Sequence, residues 1–257
     1  MWKRGKLSEA VPEFRKSLIA GYQPPPVYHG LGHCLFRLGQ VADAEKTIEE
    51  GFKRYPNARP DILLLDLAAQ VAIARGKYKD AENYINQLKQ FGEDLNYYHR
   101  LSVLHSAQRN FRSALIYAEN ACDSPGRRFE FLTNRVDILI ELEEFERATN
   151  ELTELDRLFR VGWDRIDVRL GLRCKLLLRQ KQWRQAGSLW KDIEDKQTPV
   201  CWGLRVEILR QTIEDVNASP GERIEAREEL ERLEVSSPTG AILFALVDAA
   251  DMLDSVE

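Results

Sequence analysis

The sequence predicts an all-α chain, a right-handed superhelical α-solenoid of stacked antiparallel helix hairpins, and three observations carry that prediction. Alanines recur at Ala10, Ala44, Ala81, Ala114, Ala148 and Ala186, with successive spacings of 34, 37, 33, 34 and 38 residues. Each alanine closes the same short phrase. Three copies read Gly5-Lys6-Leu7-Ser8-Glu9-Ala10, Gly39-Gln40-Val41-Ala42-Asp43-Ala44 and Gly76-Lys77-Tyr78-Lys79-Asp80-Ala81. Three looser copies read Arg109-Asn110-Phe111-Arg112-Ser113-Ala114, Glu143-Glu144-Phe145-Glu146-Arg147-Ala148 and Lys181-Gln182-Trp183-Arg184-Gln185-Ala186. The third observation is the spacing of Tyr28, Leu31, Gly32 and Leu35, which at i, i+3, i+4 and i+7 form one face of a helix. A period near 34 residues with a turn inside it describes a helix, a tight turn and a second helix running back.

Repeat one supplies only a second helix, with Leu7, Ala10, Val11, Phe14 and Leu18 on one face. A half-hairpin leaves apolar surface for a neighbour to cover. The expectation is that the chain is the C-terminal portion of a longer polypeptide, or that another chain covers its N-terminal edge. Repeat two is the fullest copy. Its first helix starts near Pro26, and its second carries Ala44, Ile48 and Gly51 before Tyr55-Pro56 ends it, because proline cannot continue the helical ladder. Gly32 is costly inside a helix, so a close helix approach is expected there. The recurring alanine has the same cause: a larger side chain at the crossing of the two helices would push them apart. Repeats three to six keep the aromatic before the alanine (Tyr78, Phe111, Phe145, Trp183), while the glycine of the phrase is lost after Gly76.

These residues resemble the tetratricopeptide repeat family. The resemblance rests on Tyr28, Leu31, Gly32, Leu35, Gly39, Ala44, Ile48, Gly51 and Pro56, with Ala69, Gly76, Tyr78, Ala81 and Leu88 in the next repeat, and it covers about residues 1–195. It implies an interaction scaffold with a concave groove for a protein or peptide segment. Residues 196–257 read as a C-terminal helical extension. One helix is expected from Pro199 to about Val216. A second follows a capping box at Ser219-Pro220-Gly221-Glu222. A last one from about Thr239 carries Ile242, Leu243, Leu246, Val247, Ala250 and Leu253 and is the candidate cap of the array.

Composition narrows the function classes. The 257 residues are 44% apolar and 30% charged, which suits amphipathic helices around a continuous core. A net charge of −4 gives no global field for nucleic acid or an anionic membrane. Cys34, Cys122, Cys174 and Cys201 form no CxxC pair, and Cys34 and Cys174 fall in apolar helical patterns, which favours a reducing compartment. The longest strongly apolar stretch, Ala241 to Val247, is too short to span a bilayer. A soluble, cytoplasmic, bacterial protein is expected. No GxSxG, P-loop or GxGxxG phrase is present, so neither an enzyme nor a cofactor is expected.

By the resemblance, the first helix of each hairpin lines the concave face. The candidate partner-binding residues are His29, His33 and Arg37, then Asp66 and Gln70, then Asn96 and His99, then Asp137, then Lys175 and Arg179. Val103, Ser106, Glu130, Thr133, Glu141 and Leu178 share the register. Some members of the family clamp a terminal carboxylate with lysine and asparagine, and His29, His33, Asp66 and Gln70 depart from that set. His29 and His33 share a helix face and precede Cys34, but Cys34 points about 100° away, so no metal site is expected. Residues 141–156 hold seven acids against Arg147, and residues 157–184 hold nine bases against Asp164 and Asp167. Arg165, Arg169 and Arg173 form a ridge that a nucleic-acid-binding solenoid would turn to phosphates. Mutual neutralisation of neighbouring helices is the favoured reading, since no aromatic–basic interleaving accompanies the ridge. Self-assembly through the terminal helices is a further alternative.

Overall fold

The computed structural model describes residues 7–22, 24–55, 61–91, 95–122, 129–158, 166–193 and 199–236. Among them lie thirteen α-helices and a 3-10 turn at Lys89–Phe91, divided between two compact units. The N-terminal unit contains α1 (Leu7–Ile19), α2 (Pro25–Arg37), α3 (Val41–Arg54), α4 (Ile62–Ala74), α5 (Tyr78–Leu88), α6 (Leu95–Ala107) and α7 (Phe111–Cys122). The C-terminal unit contains α8 (Phe129–Glu141), α9 (Phe145–Leu158), α10 (Ile166–Arg179), α11 (Trp183–Lys191), α12 (Pro199–Glu214) and α13 (Pro220–Ser236). The start of the first phrase (Gly5, Lys6), Pro56, Asp164, Arg165 and the expected terminal helix from Thr239 lie outside the described residues.

Helices pair in chain order. In the N-terminal unit α2 packs on α3, α4 on α5 and α6 on α7, while α2, α4 and α6 also pack side by side. In the C-terminal unit α8 pairs with α9, α10 with α11 and α12 with α13, and α10 touches both α8 and α12. The capping box forms before α13: Ser219 N donates to Glu222 Oε2 at 2.7 Å, and Glu222 N donates to Ser219 Oγ at 3.2 Å. Asp61 caps α4 through Leu63 N and Leu64 N at 2.9 and 3.0 Å.

The turn inside five hairpins is one structure repeated. After α2, Gly39 N donates to Phe36 O and Gln40 N to Leu35 O, both at 2.9 Å. That pair of bonds closes a helix end around a left-handed residue. The same two bonds recur at Gly76 and Lys77, Arg109 and Asn110, Glu143 and Glu144, and Lys181 and Gln182. Gly39 and Gly76 have φ of 77° and 69°, and Arg109, Glu143 and Lys181 hold 60°, 61° and 62°. The later repeats have therefore lost the glycine and kept the conformation.

The turn delivers its alanine to the hairpin crossing. Ala44, Ala81, Ala114, Ala148 and Ala186 are all 0% exposed. Twelve residues before the alanine, the first helix meets it closely: Ser102 Oγ donates to Ala114 O at 2.9 Å, and Cys174 Sγ to Ala186 O at 3.5 Å. Gly32 holds that place opposite Ala44, where a Cβ would stand 3.1 Å from Leu67 Cδ2 and 3.4 Å from Ile48 Cγ1. Ala69 and Val136 hold it in their own hairpins and are fully buried. Gly32, Ala69, Ser102 and Cys174 let the helices approach closely, whereas the hairpin of Ala148 takes the larger Val136 at this place. Around the last two hairpins Cys174, Leu178, Ala186, Ile193, Cys201, Leu204 and Ile208 make one core, and burial pushes the Cys174 thiol up to about 12.

Candidate interaction face

In the N-terminal unit the candidate residues come from α2, α4 and α6. Asp66 and Gln70 lie one turn apart on α4, and Gln70 Nε2 donates to Asp66 Oδ2 at 2.9 Å. From α6, Arg100 grips the same carboxylate with two parallel bonds, Nε to Oδ1 at 2.6 Å and Nη2 to Oδ2 at 2.8 Å. Burial alone would raise the Asp66 pKa, but the Arg100 charge and these hydrogen bonds outweigh it and hold the carboxyl below its ordinary value. Arg100 is the residue that the sequence reading misses. It follows His99 and sits 34 residues after Asp66, so only the repeat period links the two.

The histidines are inner residues of this face. His33 and His99 are 8% and 4% exposed, and Gln70 3%, whereas His29 and Arg37 are half-buried. Burial drives the His33 pKa down to about 3, with Arg37 and His29 adding to the shift, so the imidazole is neutral. The His29 and His33 rings stand 5.9 Å apart, and Cys34 turns away into the core at 0% exposure. Asn96 belongs to α6, and its side chain lies outside the described residues.

The C-terminal unit presents a tighter arrangement. Asp137 and Glu141, one turn apart on α8, each keep 7% of the side chain exposed. Lys175 on α10 lies between them, bonded to Asp137 and 2.8 Å from Glu141 Oε1, and Arg179 pairs with Glu141. Two carboxylates on one first helix thus meet two cations on the next. Next along, Gln211 of α12 donates to Leu178 O at 3.0 Å and to Glu207 Oε1 at 2.7 Å. Asp137, Glu141, Lys175, Arg179 and Gln211 each bond to the neighbouring repeat.

Two arginines of the ridge share one carboxylate. Arg169 and Arg173 of α10 both pair with Asp156 of α9, and Arg147 and Arg157 pair with acids on α9 itself. Other bonds tie one hairpin to the next away from the face. Lys77 Nζ reaches Glu45 Oε1 at 2.6 Å, and the aromatics of the phrase serve as anchors. Tyr78 Oη donates to Ala107 O at 3.2 Å, and Trp183 Nε1 donates to Asp215 Oδ2 at 2.9 Å.

Residues 25–57 match the model of the tetratricopeptide repeat. No curated protein matches the sequence. Solved structures with a similar fold include a tetratricopeptide repeat protein from Parabacteroides merdae, 14% identical over 96% of this chain and 93% of that one, with a TM-score of 0.63. Pseudomonas aeruginosa pilF is 13% identical, with 86% of this chain and 96% of that chain covered and a TM-score of 0.52. Yeast Tom70 is 19% identical with a TM-score of 0.51, over 91% of this chain and 45% of its own length. The likeness is one of fold. The chain is a helical-hairpin repeat protein with a tetratricopeptide-like fold. It carries a tetratricopeptide repeat at residues 25–57, and no helix among the described residues is long and apolar enough to cross a membrane.

Proposed function

We propose that the chain is a non-enzymatic scaffold that binds another protein or a peptide segment through the faces of its first helices. The observation that carries this reading is the row of polar groups on α2, α4 and α6, where Asp66, Gln70 and Arg100 are locked together beside half-buried His29 and Arg37. A preorganised polar face presents its donors without further ordering, which lowers the entropic cost of capturing a segment. His29 and Arg37 are the outer contacts of this reading, His33, Gln70 and His99 are its floor, and Asn96 is a further candidate on α6. Asp137, Lys175 and Arg179 form a corresponding face in the C-terminal unit. In this reading the chain binds rather than catalyses, since its hairpin fold is one on which exposed first-helix residues present a surface. Reduced, buried cysteines fit a cytoplasmic setting, and a bacterial source is part of the same proposal.

Affinity capture with the intact chain tests this reading. Arg37→Ala and His29→Ala, both at half-buried positions, should reduce recovery of the captured protein while leaving the helical circular dichroism intact. Equal recovery with the wild type and both variants would sink the groove reading. Titration with single- and double-stranded oligonucleotides at increasing salt serves as the control, because phosphate binding weakens steeply with salt. With Arg169 and Arg173 held by Asp156, weak binding is expected.

A further inference from the structure

Two places before the alanine of each phrase stands the second residue of a second helix. In repeats three, four and six it is a cation: Lys79 on α5, Arg112 on α7 and Arg184 on α11. Arg184 is neutralised inside the fold. It reaches Asp215 Oδ2, in the turn of the next hairpin, at 3.2 Å and Glu222 Oε2 at 3.7 Å, and its guanidinium lies 4.3 Å over the Trp183 ring. Lys79 and Arg112 are used differently. The turn that follows Lys79 holds Gln108, Arg109 and Asn110, with no acid to take the place of Asp215. The side chains of Lys79, Arg109 and Arg112 are exposed and form no ion pair among the described residues.

These cations lie on two turns that are joined, since Tyr78 Oη donates to Ala107 O at 3.2 Å. In the earlier turn Arg75 and Lys77 share the single carboxylate of Glu45. Arg75, Lys77, Lys79, Arg109 and Arg112 therefore line two successive turns, while Asp80 is the one acid in the first turn of α5 and α7 has none there. None of this helps the fold. A cation near a helix N-terminus meets the positive end of the helix dipole. Arg109 also holds a left-handed backbone, with φ of 60°, where glycine would be free of strain. Destabilising choices gathered at exposed side chains, with no internal partner for them, point to a surface used for contact.

We propose that this turn edge of the N-terminal unit, with Lys79, Arg109 and Arg112 at its centre, is a second interaction surface that docks an acidic segment of another protein. Carboxylates of such a segment meet unmatched cations in two successive repeats, and their attraction speeds encounter and fixes register. Glu45 and Asp80 among the cations, with a net charge of −4 over the chain, oppose the unbroken negative charge of a nucleic-acid backbone. A few carboxylates on a protein segment are the better match. The surface lies at the hairpin turns and uses none of the polar row on α2, α4 and α6, so it stands or falls apart from the interaction-face reading.

Fluorescence anisotropy of a labelled oligoglutamate peptide against the intact chain tests the proposal, with a labelled single-stranded oligonucleotide alongside. Wild type should bind the peptide in low-salt buffer, and binding should weaken as salt is raised. Lys79→Ala and Arg112→Ala should each weaken it about two- to fivefold, the range of exposed ion pairs. Arg109→Gly is the sharpest variant. It should weaken binding and yet raise the urea midpoint, because backbone strain leaves together with the charge. Lys181→Gly makes the same change at a turn of the C-terminal unit and should raise the midpoint with binding intact. A wild type that does not bind the peptide overturns the proposal, as does binding that survives Lys79→Ala and Arg112→Ala combined. Equal weakening by Lys181→Gly and Arg109→Gly would trace the effect to overall charge and overturn it too. An oligonucleotide held more tightly than the peptide would overturn the assignment of an acidic protein segment.

Discussion

Arg109, Glu143 and Lys181 stand where the earlier turns use Gly39 and Gly76, and their left-handed backbone crowds Cβ against the following carbonyl. Glycine escapes that strain, although it loses more freedom on folding. Glu143→Gly should therefore raise stability by about 0.5–1 kcal/mol, read as a higher urea midpoint at unchanged slope. Gly76→Ala reports the opposite sign cleanly, because a Cβ there meets nothing within 4 Å and only backbone strain is added. Gly51 is a glycine of another kind. It lies inside α3, and a Cβ would come within 3.0 Å of both Tyr28 Cβ and Leu64 Cδ2. Alanine is the better helix former by about 1 kcal/mol, but overpacking against a Cβ that cannot swing aside costs more. Gly51→Ala should destabilise by about 1 kcal/mol net, again by urea midpoint. A Gly51→Ala variant more stable than wild type would contradict this packing.

Between helices, the pairing of Asp66 with Arg100 decides how α4 and α6 respond to mutation and to acid. Removing one partner of a buried pair leaves the other charge uncompensated. Arg100→Met should cost about 3 kcal/mol, the low end for such pairs, because Asp66 keeps 23% of its side chain exposed. Adding Asp66→Asn to that variant should recover part of the loss. Acid acts in two windows. His33 has a folded pKa of about 3 against about 6.5 for a free imidazole, so the unfolded chain takes the proton first as pH falls. Stability of the N-terminal unit should thus decline below pH 6.5, by up to about 1.4 kcal/mol per pH unit. Asp66 is depressed, so its contribution is complete above its unfolded value near 4 and is lost as pH falls through its folded value. His33→Gln should flatten the upper window of a urea-midpoint profile against pH and leave the lower one. An unchanged upper slope would place the titrating group elsewhere.

Across the molecule, the sequence discloses the hairpins through local period, since the turn, the alanine and the apolar stripe of each helix are set by neighbours within a few residues. Ala186, the capping box at Ser219 and the close approach at Gly32 are all legible in this way. The contacts across repeats are another matter. Asp66 meets Arg100, Lys77 meets Glu45 and Lys175 meets Asp137 at separations of 34, 32 and 38 residues. Such pairings depend on which helices lie side by side, and charge alone does not select among many candidates. Burial of His33 and His99 was illegible for the same reason, because a polar residue on a predicted groove reads as exposed until its neighbours are in place. The letters of the family pattern are matched only over residues 25–57, yet the turn geometry of Gly39 continues to Lys181 in residues with quite different side chains. Like torsion angles and like hydrogen bonds at both ends make each intervening stretch a cassette. Cutting out Lys77–Arg109 would splice Gly76 directly to Asn110, left-handed turn to left-handed turn, and α4 would inherit α7 as its partner. Length should thus be an editable property of this chain, with the turns as its natural recombination points, and such a deletion, combined with Asp66→Asn because Arg100 leaves with α6, should fold with helical ellipticity reduced by one hairpin.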